Sequence, residues 1–170
     1  MVTNLYIYSG LGNIIGILDS LSTDLSVNSE DIINLYKNTD IEFDQLIIVL
    51  PPQNHENDLD VRIFNNDGST ASNCINGARC VSKFIQDESL LPFKDLKVNT
   101  KGGLWHLKAI NDKEFSASFL IDDKISKIEL TSLDEYINLD CIDLGNPHGV
   151  TFSVHEPNFE FLKIGGELTE

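Results

Sequence analysis

The sequence is poor in positive charge and has no long apolar run. Only 12 of its 170 residues are Lys or Arg, against 27 Asp and Glu, so the formal net charge is −15. Nucleic acids and anionic lipids are bound by Lys and Arg that displace counterions, and the acidic balance therefore argues against both partners. No apolar segment approaches the roughly 20 residues that span a bilayer. We expect a soluble, cytoplasmic protein.

Cysteine is also scarce. The chain has three, Cys74, Cys80 and Cys141. An odd number of cysteines without a secretory signal predicts free thiols in a reducing compartment. No histidine stands at metal-ligand spacing from a cysteine, so we expect no metal site. Core packing is the predicted role of Cys80 and Cys141.

The apolar content of the chain is sufficient for the core of one folded domain, since 41% of its residues are apolar. Helical spacing predicts a helix from residues 28–31 onward, a more apolar one over 75–87, and a weak one over 159–164. Strand-like runs separated by turn residues occupy 5–8, 14–18, 45–50, 60–65, 95–100, 104–110, 115–121, 139–144 and 150–154. The predicted fold class is α+β, with a mixed, mostly antiparallel, barrel-like curved sheet wrapped around the helix 75–87.

Unusual polar residues are densest over 65–80. Cys74 stands where a polar loop meets the predicted helix, and a helix N-terminus lowers the pKa of a thiol. The N–H groups of Ile75, Asn76 and Gly77 lack acceptors within the helix and are expected to hold a carboxylate. This combination predicts proton abstraction beside that carboxylate, or nucleophilic attack. The alternative is an ordinary buried thiol.

The remaining polar candidates carry weaker signals. Four amides lie at strand ends or in loops, where turn formation is the alternative role: Asn13, Gln45, Asn65 and Asn146. His148 follows a proline in a turn. A lone histidine there is interpreted as a structural hydrogen-bonding group in preference to a base.

Four segments resemble the diaminopimelate epimerase family in the same order and at similar spacing. Residues 9–13 (SGLGN) resemble its HGLGN opening, and residues 43–46 (FDQL) resemble its FDQ segment. Residues 62–80 are similar to its RIFNADGS…CGNGARC block, and residues 145–148 match its GNPH turn. The resemblance runs from about residue 5 to the end of the chain.

The resemblance implies a cofactor-free epimerase that interconverts L,L- and meso-diaminopimelate for lysine and peptidoglycan synthesis. It also implies two similar domains, each a sheet around a central helix, with the substrate between them. Cys74 falls on one of two catalytic cysteines, and His148 on a histidine that tunes the thiols. The substrate-binding positions are Asn13, Gln45, Asn65, the first-turn residues Ile75, Asn76 and Gly77, and Asn146.

The chain departs from the family in two ways. The family's second cysteine lies in a C-terminal segment like ACGTGA, which is not found here. Residues 1–170 are therefore interpreted as a single domain, the N-terminal half, and are predicted to be inactive or nearly so alone. The expected partners are a small-molecule substrate and either the missing half or a second copy, through an apolar face. Ser9, Ile14 and Ile75 also replace the family's His, Asp and Gly.

These departures leave other interpretations open. A non-catalytic relative would bind an amino acid or a partner protein. Another isomerase of the same fold, such as a proline racemase or a phenazine-pathway protein, is a further possibility. A cysteine hydrolase using Cys74 and His148 is the fourth, although no separate motif supports it.

Overall fold

The computed structural model describes residues 4–21, 25–38, 42–92, 94–120, 126–132, 135–144 and 147–152. The chain forms two compact units, Met1–Leu120 and Ile121–Glu170. The first unit contains strands β1 (Leu5–Gly10), β2 (Asn13–Asp19), β3 (Gln45–Leu50), β4 (Leu59–Asn65), β5 (Thr70–Ala71), β6 (Asp95–Thr100), β7 (Gly103–Ala109) and β8 (Phe115–Phe119), with helices α1 (Ser29–Asn38) and α2 (Ile75–Asp87). The second contains β9 (Ser126–Ser132), β10 (Glu135–Asp143) and β11 (Pro147–Val150).

The strands of the first unit form one mixed sheet, in the order β1-β2-β3-β4-β6-β7-β8, with β5 paired to β4. The pairs β2–β3 and β4–β6 are parallel, and the remaining pairs are antiparallel. Helix α2 contacts both edge strands, β1 and β8, as well as strands between them. The sheet therefore curls around α2, which confirms the predicted fold class.

The apolar spacing of α2 explains its central position. Ala78, Val81, Phe84 and Ile85 are fully buried against the inner face of the sheet. Cys80 belongs to the same cluster, as predicted. Burial of these side chains supplies the main free energy that holds the sheet to the helix.

Helix α1 covers the outer face of β2, β3 and β4. It begins with a capping box, in which Asn28 Oδ1 accepts from the N–H groups of Glu30 and Asp31 and the Asp31 carboxylate accepts from the Asn28 N–H. Ile32 of this helix belongs to the same buried cluster as Phe64 of β4. Both faces of β4 are therefore covered at this end, because Ile63 belongs to the cluster around α2 and Phe64 to the cluster around α1.

The second unit is an antiparallel sheet in the order β9-β10-β11. The predicted strand over 139–144 overlaps the C-terminal part of β10 and ends one residue beyond it. Residues 145–149 were expected to form a loop before a strand at 150, whereas β11 already begins at Pro147, and Cys141, half-buried, pairs with Gly149. Proline fits there because the first residue of a strand can forgo its N–H bond. The helix predicted over 159–164 lies outside the described residues.

Neither α1 nor α2 is long and apolar enough to cross a membrane.

Candidate active site

The site is built on the N-terminus of α2. Cys74 is the N-cap residue, with an extended backbone (φ −155°, ψ 99°), and its Sγ accepts a hydrogen bond of 3.2 Å from the Gly77 N–H. The sulfur thus takes the place of the hydroxyl or carboxylate oxygen that usually caps a helix. The predicted position of Cys74, at the junction of loop and helix, is confirmed.

Asn73 anchors this cap to the sheet. Its Oδ1 accepts from the Trp105 indole N–H at 2.5 Å and from the Cys74 N–H at 3.0 Å. Trp105 on β7 is 1% exposed, so the interaction is buried. This contact was not predictable from the sequence, because 32 residues separate its two side chains.

Gly77 lets the cap lie close to the sheet. A Cβ atom added there would lie 2.5 Å from Ile47 Cδ1, which is too short for a real contact, and 3.0 Å from Cys74 Sγ, which is tighter than most. Ile47 on β3 is fully buried. Any side chain at position 77 would therefore displace the sulfur, the isoleucine or the helix itself.

The pKa of Cys74 is raised, which corrects the expectation of an anion-favouring thiol. Burial is the largest cause of the rise. The Gly77 and Asn76 N–H groups and the Arg79 charge act in the opposite direction, as a helix N-terminus should, but they do not outweigh burial. Cys74 is therefore protonated at neutral pH in this state, and its first-turn N–H groups already face the sulfur.

Two amide side chains connect the cap to the β1–β2 turn. The Asn76 Nδ2 group donates to Asn13 Oδ1 at 2.6 Å, and Arg79 donates to Asn76 Oδ1. On the far side Asp44 Oδ2 accepts from the Ile14 N–H at 2.8 Å and, at 3.4 Å, from Asn13 Nδ2. These bonds hold the turn against the first turn of α2.

A second amide pair lies on the neighbouring strands. Gln45 Nε2 donates to Asn65 Oδ1 at 2.9 Å, and Asn65 Nδ2 donates to Ser69 Oγ at 3.0 Å. Gln45 begins β3 directly opposite Asn65, which ends β4. Asn13 begins β2, the parallel neighbour of β3, so the three amides lie at the same end of the sheet.

The structure thus brings together most of the predicted site residues. Those at the shared end of the sheet and on α2 are Cys74, Asn13, Gln45, Asn65, Asn76 and Gly77. Ile75, also half-buried, is the first residue of α2. His148 lies in the second unit, exposed on β11, where it pairs with Ile142. Asn146 lies outside the described residues. The roles assigned to these residues stay predictions.

Two residues of this cluster were missed by the sequence reasoning. Asp44 was not singled out as a site residue, although its carboxylate accepts from the Ile14 N–H at the start of β2. Arg79 was treated only as part of a motif. Its spacing of three residues from Asn76 places both side chains on one face of the helix, and that signal was available.

Solved structures share this fold at low sequence identity. The hydroxyproline epimerase of Agrobacterium vitis, determined with trans-4-hydroxy-L-proline, matches with a TM-score of 0.64 and 12% identity over 88% of this chain and 51% of that protein. A PhzF-family phenazine biosynthesis protein of Bacillus anthracis matches with a TM-score of 0.59 and 17% identity over 84% and 54%. The fold is therefore that of a class of proteins that includes epimerases.

Sequence comparison narrows the class. The family model described as diaminopimelate epimerase matches residues 5–120. The diaminopimelate epimerase of Pseudomonas aeruginosa strain LESB58 is 35% identical over 155 residues, which cover 83% of this chain and 56% of that protein. That of Teredinibacter turnerae is 30% identical over 172 residues, or 94% and 62%. The chain belongs to the diaminopimelate epimerase family, and it spans little more than half the length of these relatives.

Proposed function

We propose that this chain supplies one face of a cofactor-independent active site that epimerises diaminopimelate in the cytoplasm. The observation that carries the proposal is the position of Cys74, whose sulfur caps α2 beside the Asn13–Asn76 amide pair. Its support is membership of a family whose relatives carry the name diaminopimelate epimerase.

The chemistry follows from the inversion of a carbon that bears a proton. One base removes the proton from one face, and an acid on the opposite face delivers another. Cys74 rests as a thiol, because burial raises its pKa, so it is poised as the acid in one direction of the reaction. After it gives up its proton, the N–H groups of Gly77 and Asn76 stabilise the thiolate.

The intermediate places negative charge next to the substrate's carboxylate. The positive end of α2 and the amide N–H groups of Asn13 and Asn76 lie where they can stabilise such charge. Gln45 and Asn65 supply further donors and acceptors at the same end of the sheet. In the proposal these four side chains bind the amino-acid group.

A single thiol serves a single face of the substrate. We assign the second base to the part of the relatives' length that this chain does not span, as the resemblance implies. The 170 residues alone are therefore expected to show little or no epimerase turnover, and the proposed partner is that second half, or a second copy of the chain.

Solvent exchange tests this proposal. The chain, alone and mixed with the C-terminal half of the Pseudomonas aeruginosa relative, is incubated with L,L-diaminopimelate in D2O, and α-deuterium and the meso form are measured. We expect the mixture to exchange and epimerise, and the Cys74→Ala variant to do neither. Absence of exchange in every sample rejects the catalytic proposal.

A non-catalytic relative that binds an amino acid is the second candidate. It is favoured by Ile75, whose branched side chain stands directly after Cys74 where the family has glycine. Calorimetry with diaminopimelate separates the two functions, because binding without deuterium incorporation supports the second.

A further inference from the structure

A chain of hydrogen bonds runs past Cys74. The chemistry of the two residues at its ends determines which way each amide in the chain is oriented. Arg79 has only donors, so the Asn76 atom that faces it must be Oδ1. The Asn76 NH2 group then faces Asn13, whose facing atom must also be Oδ1. This leaves the Asn13 NH2 group directed at the Asp44 carboxylate, which only accepts. Neither amide is free to flip while both ends are in place.

Each end of the chain is held by more than the amides. The Asp44 carboxylate accepts from the Ile14 N–H at 2.8 Å, and the Asp44 N–H donates to the Ile14 carbonyl, also at 2.8 Å. At the other end the Nε atom of Arg79 is buried and has no hydrogen-bond partner. An unpaired buried donor is costly. The position of Arg79 beside Asn76 therefore does not satisfy all the donors of the arginine itself.

We propose that Asp44 and Arg79 are positioning residues, which fix the orientation of the Asn13 and Asn76 amides beside Cys74. The inference rests on the proposed function for the identity of the ligand, an amino acid whose carboxylate the remaining amide N–H groups bind. The orientation of the amides stands independently of that ligand. With either end removed, an amide can rotate and present its oxygen to the carboxylate, which repels it.

The two ends also act on Cys74 with opposite sign. The Arg79 charge lowers the pKa of the thiol, whereas the Asp44 charge raises it. A general loosening of the site would move the pKa in one direction for both variants. Opposite shifts therefore distinguish the effect of two nearby charges from a general loosening of the site.

A double-mutant cycle tests the coupling. The affinity of the 170-residue chain for diaminopimelate is measured by calorimetry for wild type, Asp44→Ala, Arg79→Met and the double variant. Each single change is expected to weaken binding about tenfold, as loss of one charged hydrogen bond does. The double variant should also be about tenfold weaker, not about a hundredfold, since both changes break one network. Independent, multiplicative losses would overturn the proposal.

Matched controls use sites outside this network. Asp58→Ala removes a carboxylate that accepts the Lys97 N–H at 2.7 Å, and Lys83→Met removes a cation one turn beyond Arg79 on α2. Both should leave affinity within about twofold of wild type, as surface changes usually do. Arg79→Lys, which keeps a charged donor, should recover part of the affinity. Equal losses in the controls, or no recovery, would count against the proposal.

The pH profile of Cys74 alkylation by iodoacetamide gives a readout that does not need the ligand. Peptide mass spectrometry follows the Cys74 peptide alone. The inflection should move upward in Arg79→Met and downward in Asp44→Ala. If wild type binds no diaminopimelate, the proposed function fails, while this profile still tests the placement of Asp44 and Arg79 beside Cys74 on which the positioning role rests. Shifts of the same sign, or none, would overturn it.

Discussion

Cys74 caps the N-terminus of α2 and Cys80 lies six residues further along the helix. The two side chains differ in their exposure to solvent. Cys74 is half-buried, whereas Cys80 is 4% exposed. Burial raises the pKa of both thiols, that of Cys80 to about 11. A raised thiol pKa leaves less thiolate at a given pH, so both should react slowly at neutral pH, and Cys80 more slowly. We expect iodoacetamide at pH 8.5 (roughly the pKa of a free thiol) to label Cys74 well before Cys80, as measured by peptide mass spectrometry.

The same experiment carries its own control. Unfolding in urea should bring both cysteines to a common rate, because it removes the burial that separates them. Native Cys80 reacting as fast as Cys74 would show that the helix opens more readily than its packing implies. The sequence predicted where Cys74 lies, from the loop-to-helix boundary. It did not predict the direction of the pKa change, because the burial comes from residues such as Ile47, 27 positions away in the chain.

Among the elements, α2 depends on Gly77 for its distance from β3. Alanine is the better helix former by about 1 kcal/mol. Even so, we expect Gly77→Ala to lower the free energy of unfolding by about 1–3 kcal/mol, because its Cβ would meet Ile47 Cδ1 at 2.5 Å. Urea denaturation measures the change.

A second substitution identifies the cause of that loss. Ile47→Val removes the Cδ1 atom and alone costs about 0.5–1.5 kcal/mol. In the Ile47→Val, Gly77→Ala double variant the two costs should be less than additive, since the clash is gone. Full additivity would place the cost of Gly77→Ala elsewhere, for instance in the Cys74 cap.

Elements with a strong local signal were predictable. The apolar spacing of α1 and α2 and the strand-like runs that form β6, β7 and β8 were predicted from neighbouring residues. Strands that form only because a neighbouring strand pairs with them were harder to predict from the sequence. The two-residue strand β5 exists only through its pairing with β4. Strand β11 begins inside an expected turn because β10 offers it a partner.

The candidate site likewise has a part that was predictable from the sequence and a part that was not. Motif residues such as Cys74 and Asn13 were found from the sequence, whereas the contacts among them, and the part played by Asp44 and Arg79, needed the register of β2 against β3. The curved sheet around one helix in the first unit was predicted from strand-like runs separated by turn residues and from a single strongly apolar helix. The division of the chain into two units did not follow, since no change of composition marks residue 120.

At the scale of the whole molecule, the first unit has the means to fold alone. Among the described side chains, every residue of the buried core lies between Ile15 and Leu107. We therefore expect a fragment 1–120 to unfold cooperatively in urea, with the buried Trp105 reporting through its fluorescence. A fragment 1–100 is the control, because it lacks β7 and β8 and with them Trp105 and Leu107, and circular dichroism should show it largely unfolded. If fragment 1–120 has no cooperative transition, the core of the first unit depends on residues beyond it, and the boundary at residue 120 is not a folding boundary.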